Sequence, residues 1–192
     1  AAVAFGVIGY LVAQGMPDRP DTYYFGAADG GVWKTIDSGL TWASVADSAP
    51  FSSVNALAVV PRAMRPTLLV VGTGQTQTRY DAMDGNGVFA SDDDGANWKS
   101  IGLADTRHIG DLWIDPRNEN VMLVAALGSL FGPGPERGVF RTEDGGAHWT
   151  KVAYADADTG AVDFGVDPGA RRISLGLKQV EQNPWEQLVQ KY

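Results

Sequence analysis

The chain of 192 residues is long enough to bury one substantial hydrophobic core, and its 44% hydrophobic and 20% charged residues are typical of a globular protein rather than a disordered one. Its formal net charge of −8 and the lack of any run of basic residues argue against a nucleic-acid partner, because neutralising phosphates requires a basic patch. The absence of cysteine excludes a disulfide framework, while 24 glycines and 10 prolines are typical of a chain with many turns.

The first sixteen residues, AAVAFGVIGYLVAQGM, are apolar but lack a basic start and are too short to span a bilayer. We therefore interpret them as a buried strand rather than as a membrane span or a signal peptide. The sequence begins with Ala-Ala rather than Met, which is compatible with an export signal upstream that was removed or is not included here.

Short runs rich in Val, Ile, Leu and aromatic residues, bounded by Gly, Pro, Asp and Asn, predict β-strands in groups of four. The first group is expected at 5–14, 22–27, 31–36 and 42–45, the second at 54–60, 67–73, 87–91 and 98–101, and the third at 108–114, 121–126, 138–142 and 149–153. A fourth group begins at 161–166 and 173–177, and residues 178–192 have the pattern of a short amphipathic helix interrupted by Pro184.

One eight-residue pattern occurs three times, as TIDSGLTW (35–42), SDDDGANW (91–98) and TEDGGAHW (142–149). Each copy reads Ser/Thr, any residue, Asp, any residue, Gly, two variable residues and Trp, and we call these segments the Asp/Gly/Trp turns. Their structural residues are Asp37, Gly39 and Trp42, Asp93, Gly95 and Trp98, and Asp144, Gly146 and Trp149. The tryptophans are 56 and 51 residues apart, which is about the length of a four-stranded propeller blade.

The repeated residue types are those of a tight hairpin turn. The Asp side chain accepts bonds from backbone N–H groups of its own turn, the Gly adopts a positive φ without steric cost, and the Ser/Thr hydroxyl closes the turn. The Trp then begins the return strand and buries its ring against a neighbouring hairpin. A calcium loop at 92–94 is disfavoured because Leu103 stands where a closing Glu is required.

The turns resemble the Asp-box, or BNR, repeat of sialidases, xyloglucanase-type glycosidases, sortilin-type ectodomains and many secreted bacterial proteins. The stretches GTGQTQTRYD, LADTRHIGDLWIDP, AALGSLFGPGPERGVFRTEDGGAHW, DADTGAVDFGVDP and QNPW are similar to successive blades of a bacterial secreted propeller family labelled glycosyl hydrolase BNR-repeat or sortilin-like (VPS10-type). The resemblance covers about 22–185. It implies a long exported protein with the remainder of the propeller in the parent chain, and it brings no assured catalytic residues.

The predicted fold is therefore an all-β partial β-propeller of four-stranded antiparallel blades. The blades are expected at about 5–45, 54–101 and 108–153, with an incomplete fourth at about 161–192, three and a half in all. In such a meander the Asp/Gly/Trp turns and the Asp-Pro turns share one end, the bottom face, while the remaining loops form the top face. Because ligands usually bind to loops on a rigid scaffold, we expect function on the top face.

Several polar and aromatic residues fall in the top-face loops. The expected ligand-binding residues are Arg79, Tyr80, Asp81, Arg107, His108, Arg137 and Trp185. Alternatively, each Arg forms a salt bridge that fixes a loop. His108 could form a structural hydrogen bond or transfer a proton, and the two aromatic side chains could cover the strand core. His148, in a variable position of its turn, is expected to be exposed.

An enzyme would draw on the acids of this face, which are Asp81, Asp84, Glu136, Asp156 and Asp158. Glycosidases need two carboxylates about 5 to 10 Å apart, and the catalytic candidates are Asp81, Glu136 and Asp158. A sialidase would need three converging Arg residues, for which Arg79, Arg107 and Arg137 are available, but the Phe/Tyr-Arg-Ile-Pro signature is missing. The sequence has no zinc-binding pattern, no phosphate loop and no nucleophile elbow, so we expect no metal and no cofactor.

These observations favour a part of an exported propeller that binds a protein, peptide or glycan through its top face without catalysing a reaction by itself. The alternative is a xyloglucanase- or sialidase-like glycoside hydrolase whose active site is completed by further blades. Neither reading requires a nucleic acid or a membrane span.

Overall fold

The computed structural model describes residues 11–77, 82–167 and 172–179 of the chain. Most of these residues lie in strands, and the helical segment among them is a 3-10 turn at Ala104–Thr106. No helix in this part of the chain has the length and hydrophobicity needed to cross a membrane.

The strands form four separate antiparallel sheets in which consecutive strands are neighbours. The first sheet contains β1 (Leu11–Met16), β2 (Arg19–Ala27), β3 (Gly31–Thr35) and β4 (Ala43–Ser44). The second contains β5 (Val54–Val60), β6 (Leu68–Thr73), β7 (Val88–Ser91) and β8 (Lys99–Gly102), and the third contains β9 (Ile109–Asp115), β10 (Asn118–Ala126), β11 (Gly138–Thr142) and β12 (Thr150–Ala153). The fourth, within the described residues, consists of β13 (Thr159–Asp167) and β14 (Arg172–Gln179).

The first strand of each sheet packs against the first strand of the next, in the order β1, β5, β9, β13. The sheets therefore surround a common axis with their first strands innermost, which is the arrangement of blades in a β-propeller. The predicted all-β partial β-propeller is confirmed.

The hydrophobic core lies in layers between neighbouring blades. Val71 of β6 packs in the layer shared with the first blade, and the adjacent Val70 packs in the layer shared with the third. Both side chains are at most 1% exposed. Successive residues of a strand point to opposite faces, so a strand covered on both faces is apolar throughout. All six residues of β6 are accordingly buried.

The three Asp/Gly/Trp turns have the same hydrogen bonds, as the second of them shows. The Ser91 hydroxyl donates to Asp93 Oδ1 (2.8 Å) and accepts from the Gly95 N–H (2.8 Å). Asp93 Oδ1 also accepts from the Asn97 N–H (2.8 Å). Gly95 has a φ of 97°, a left-handed conformation that favours glycine. The side chains of the turn therefore satisfy the backbone donors that the turn leaves unpaired.

Trp98 and Trp149 attach their turns to the preceding blade. The indole Nε1–H of Trp98 donates to the carbonyl oxygen of Val45 (2.8 Å), and that of Trp149 donates to the carbonyl oxygen of Ile101 (2.6 Å). The turn glycines approach the same two residues, since an added Cβ would lie 2.7 Å from the Cβ of Val45 and 2.8 Å from that of Ile101. Each turn thus packs against the end of the preceding blade.

Trp42, in the first blade, has different surroundings. Its ring contacts Phe25 of its own blade edge-on, with 4.6 Å between the ring centroids, and 38% of the residue is exposed. Its indole donates no hydrogen bond to any residue that the structure describes.

Some strand ends differ from the sequence prediction. The first strand, expected at 5–14, is Leu11–Met16 within the described residues, and β2, expected at 22–27, begins at Arg19. Each of the three tryptophans, expected to begin the fourth strand of its blade, stands one residue before that strand. Residues 1–10, and the predicted helix from residue 180 onward, lie outside the described residues.

Candidate functional site

The loops divide between the two ends of the blades as the meander predicts. At the bottom face, the Asp94 N–H donates to the Thr67 carbonyl (3.2 Å) and the Gly145 N–H donates to the Asn120 carbonyl (3.0 Å), so the Asp/Gly/Trp turns lie beside the turns between first and second strands. The top face is formed by residues 28–30, 45–53, 74–77, 82–87, 103–108, 127–137 and 154–158.

Arg62 joins two blades at the bottom face. Its guanidinium donates two hydrogen bonds of 2.8 Å to the Glu119 carboxylate and also approaches Asp92 at 3.3 Å. Lys99 donates to the other oxygen of Asp92 at 2.6 Å. Arg62 lowers the pKa of Glu119, and Lys99 followed by Arg62 lowers the pKa of Asp92. The charges of this network satisfy one another, as expected of a structural contact.

The top face carries a corner of three charged or polar side chains, Asp84, Arg107 and His108. Asp84 Oδ1 lies 2.9 Å from His108 Nε2, and Asp84 Oδ2 lies 3.2 Å from a terminal nitrogen of Arg107. The side chains of Asp84 and Arg107 are 60% and 54% exposed, whereas His108 is fully buried. One carboxylate thus joins a buried imidazole to a guanidinium that faces solvent.

The backbone of this corner is strained at Arg107. Its φ and ψ are 55° and −60°, and the His108 N–H donates to the Thr106 carbonyl oxygen at 2.5 Å. These values define the γ-turn with positive φ, which is rare because it places the Cβ in an unfavourable position. The carbonyl oxygen of Arg107 accepts from the Gly85 N–H (2.9 Å), so the 82–87 loop holds the strained residue in place.

Burial makes His108 a neutral hydrogen-bond donor to Asp84. Desolvation lowers the pKa of His108, and the nearby Asp84 carboxylate opposes this effect. An ionised carboxylate only accepts hydrogen bonds, so the proton of the neutral ring lies on Nε2. The carbonyl oxygen of His108 accepts from the Leu127 N–H (2.9 Å), which links the corner to the next loop. His108 therefore orients Asp84 instead of facing solvent.

Arg137 fixes a loop through backbone carbonyl oxygens. Its guanidinium donates to the carbonyl oxygens of Leu127, Ser129 (2.5 Å) and Gly132 (2.8 Å), and the residue is fully buried. Burial lowers its pKa. The sequence predicted that Arg137 contacts a ligand or forms a salt bridge, but its observed partners are backbone carbonyl oxygens. Because the side chain is enclosed, it exposes no surface to a ligand and cannot join a cluster of ligand-binding arginines.

The acids nearest to this loop lie on two connected segments. Glu136 is half-buried and accepts from the Ser129 N–H (3.2 Å), while Asp158 is exposed. The Gly134 N–H donates to the Ala157 carbonyl (2.9 Å), which joins the 127–137 loop to the 154–158 loop. The Asp158 N–H donates to Asp156 Oδ1 (2.9 Å). These bonds hold the two loops together and leave the Asp158 carboxylate in solvent.

The other expected site residues, Arg79, Tyr80, Asp81 and Trp185, lie outside the described residues. His148 is exposed and its Nδ1 is 2.7 Å from Asp144 Oδ2 within its turn. Sequence reasoning missed the pairing of Asp84 with His108, because 24 residues separate them and no local motif connects them. In the described part of the chain, no three metal-ligating side chains converge.

Two shallow depressions in the described surface lie away from the Asp84 corner. One, of about 360 Å³, is on the bottom face between 18–19 and 62–67. The other, of about 510 Å³, lies between the 30–31 backbone and residues 44–52. Charged residues line the first depression, among them Arg19, Arg62 and Asp94, and mainly small residues line the second. Both are shallow, unlike the deep pocket of a small-molecule enzyme.

Together the blades and loops define a partial β-propeller with the Asp/Gly/Trp turns at one end and the Asp84 corner at the other. No protein-family model matches the chain, and no curated protein matches it. An ancestral GH74 enzyme has a similar solved structure, with a TM-score of 0.65 and 16% identity over 88% of this chain and 22% of that one. The structure of a GH74 enzyme of Niastella koreensis has a TM-score of 0.49 and 20% identity, and the match covers 73% of this chain and 21% of that one. The structure of a GH74 xyloglucanase of Xanthomonas campestris has a TM-score of 0.34 and 17% identity, and the match covers 70% of this chain and 28% of that one.

The chain thus spans about a fifth of the length of the ancestral GH74 enzyme. At this identity the likeness shows a shared fold, and the neighbouring structures are glycoside hydrolases with a propeller architecture. It assigns no activity to residues of this chain.

Proposed function

We propose that this chain is part of an exported Asp-box β-propeller protein that binds a glycan through its top face, without catalysis by these residues alone. The observation that carries the proposal is the exposed Asp84–Arg107 pair on a strained backbone turn. Strained residues persist where the surrounding structure holds them, and they cluster at binding and active sites. Here two loops and a buried histidine hold the pair in position.

The chemistry of the pair suits a neutral carbohydrate. A carboxylate accepts hydrogen bonds from two hydroxyl groups, and a guanidinium donates to others in a fixed planar geometry. The net charge of −8 disfavours polyanionic ligands. The fold shared with an ancestral GH74 enzyme supports a glycan over a protein or peptide.

Isothermal titration with neutral oligosaccharides, including xyloglucan fragments, tests the proposal against sialosides and unstructured peptides. We expect saturable binding of a neutral glycan, and at least a tenfold loss for Arg107→Ala and Asp84→Asn. Arg65→Ala is the matched control, because Arg65 is a 65% exposed arginine on the bottom face. Equal losses for Arg65→Ala and Arg107→Ala would show that the top face is not the binding site.

A glycoside hydrolase is the second candidate. It is favoured by the exposed Asp158 and the half-buried Glu136 on joined top-face loops, and by the fold of the ancestral GH74 enzyme. In such a site, one of these two acids would pair with a carboxylate from residues outside this chain. Reducing-end release from xyloglucan by the longer protein, abolished by Asp158→Asn, would favour this candidate over binding alone.

A further inference from the structure

The position of Asp84 depends on a segment without regular secondary structure. Residues 82–87 form neither a strand nor a helix, and the side chain of Asp84 is 60% exposed. A side chain on such a segment keeps one position only where hydrogen bonds from other parts of the chain hold the neighbouring backbone. The partners of this backbone therefore decide where the Asp84 carboxylate stands.

The residues on either side of Asp84 are held by two different partners. The Gly85 N–H donates to the Arg107 carbonyl oxygen (2.9 Å), which attaches one side to the strained turn. Gln75 holds Met83 on the other side. The Gln75 N–H donates to the Met83 carbonyl oxygen (3.1 Å), and the Met83 N–H donates to the side-chain Oε1 of Gln75 (3.4 Å). Asp84 therefore lies between two fixed points of the backbone.

The side chain of Gln75 also reaches the first blade. Its Nε2 donates to the carbonyl oxygen of Ala28 (3.0 Å), in the loop between β2 and β3. A carboxamide carries a donor and an acceptor at the same tip, so the bonds to Ala28 and Met83 together fix one orientation of the side chain. A carboxylate would lose the donor, and an apolar side chain would lose both bonds.

Asn86 attaches the same segment to the first blade a second time. Its N–H donates to Thr73 Oγ1 (2.8 Å), and its side-chain Nδ2 donates to the Pro50 carbonyl oxygen (3.2 Å). Asn86 is exposed, so water can replace its side chain at Pro50. Gln75 is half-buried and bonds the residue next to Asp84, which makes it the stronger of the two attachments.

We propose that Gln75 is a positioning residue of the top-face site, which holds Met83 against the first blade and thereby sets the Asp84 carboxylate beside Arg107. In this role Gln75 acts through the backbone and does not itself contact the ligand. Binding groups need such support, because a displacement of about 0.5 Å already weakens their bonds. The effect on affinity rests on the proposed function, since it requires that Asp84 accepts hydrogen bonds from the glycan.

Gln75→Met tests this role, because it removes both side-chain hydrogen bonds and keeps a side chain of similar length. Asn97→Leu is the matched control. It also exchanges a carboxamide for an apolar side chain, but at the bottom face, where Asn97 Nδ2 donates to Asp93 Oδ2 (2.7 Å). Circular dichroism and urea denaturation check that both variants are folded.

The first measurement needs no ligand. In the ¹⁵N-labelled chain, the Nε2 resonance of His108 reports the hydrogen bond to Asp84, and the resonances of His148, on the bottom face, are the internal reference. We expect Gln75→Met to shift the His108 resonance and leave that of His148 unchanged, and Asn97→Leu to leave His108 unchanged. An unchanged His108 resonance in folded Gln75→Met would overturn the proposal.

The second measurement is isothermal titration with a neutral xyloglucan oligosaccharide. Gln75→Met should weaken binding about tenfold, because a misplaced carboxylate loses its bonds to the ligand. Gln75→Glu should weaken binding too, since an ionised carboxylate has no donor for the Ala28 carbonyl oxygen. Full affinity in Gln75→Met would overturn the proposal. If the unmodified chain binds no neutral oligosaccharide, the proposed function fails, and the His108 resonance alone decides whether Gln75 positions Asp84.

Discussion

Replacing Trp98 by Phe tests whether the blades are joined through the tryptophan of each turn. The substitution keeps an aromatic ring near Phe51, whose ring centroid is 5.2 Å from that of Trp98, and removes the N–H bond to the Val45 carbonyl. Loss of that bond costs about 1 kcal/mol, and the space left by the smaller ring costs about 1 kcal/mol more. We therefore expect a loss of about 2 kcal/mol in the free energy of unfolding.

Trp42→Phe is the matched control for this measurement. Trp42 has no hydrogen bond from its indole to the described residues and is 38% exposed, so its replacement should cost less than about 0.5 kcal/mol. Urea denaturation followed by circular dichroism gives both values from the shift in midpoint at constant slope. Equal losses for the two variants, or a loss below about 0.5 kcal/mol for Trp98→Phe, would refute the docking of turns onto the preceding blade.

Four further substitutions test the scaffold and the top face separately. Asp93→Ala should lower the free energy of unfolding by about 1 to 2 kcal/mol, because it removes the hydrogen bonds that Asp93 accepts within its turn. The same substitution should leave the glycan affinity measured by titration unchanged. Hydrogen bonds within its turn lower the pKa of Asp37 from 3.8 to about 2, so the stability that the carboxylate contributes is present above about pH 4 and is lost as the pH falls toward 2. In Asp37→Asn, the free energy of unfolding should therefore depend less on pH between about 4 and 2. Burial lowers the pKa of His108 below 6.5, so the stability that the neutral ring contributes is full above pH 6.5 and declines as the pH falls below that value; in His108→Gln, the free energy of unfolding measured in urea should lose this pH dependence. Arg137→Lys should speed amide hydrogen exchange in 128–136 at least tenfold, because the shorter ammonium cannot reach all three carbonyls.

The sequence was sufficient to predict the fold because the relevant signals are local. Ser91, Asp93 and Gly95 satisfy their turn within five residues, so their chemistry could be inferred without tertiary information. A strand such as β6 is apolar along most of its length, so it required neighbours on both faces. The sequence predicted burial of the Trp ring against a neighbouring hairpin, but not the bond from the Trp98 indole to the Val45 carbonyl oxygen, because 53 positions separate the two residues.

The candidate site was less predictable because it depends on contacts between loops. The γ-turn at Arg107 has no residue signature, and the partner of His108 comes from a loop 24 positions earlier. Arg137 was expected at the surface, as most arginines are. Its burial follows from the glycine-rich 127–137 loop, in which Gly128 adopts a φ of 74° and the chain folds its carbonyl oxygens around the guanidinium.

If the Asp/Gly/Trp turns are scaffold, ligand contacts lie on the opposite face. Mapping the ¹⁵N chemical shifts of the chain during titration with a neutral oligosaccharide distinguishes the two faces. We expect saturable changes at Asp84 and across 103–108, with none in 35–42, 91–98 and 142–149. Changes confined to those three turns, with the Asp84 and Arg107 amides unaffected, would contradict it.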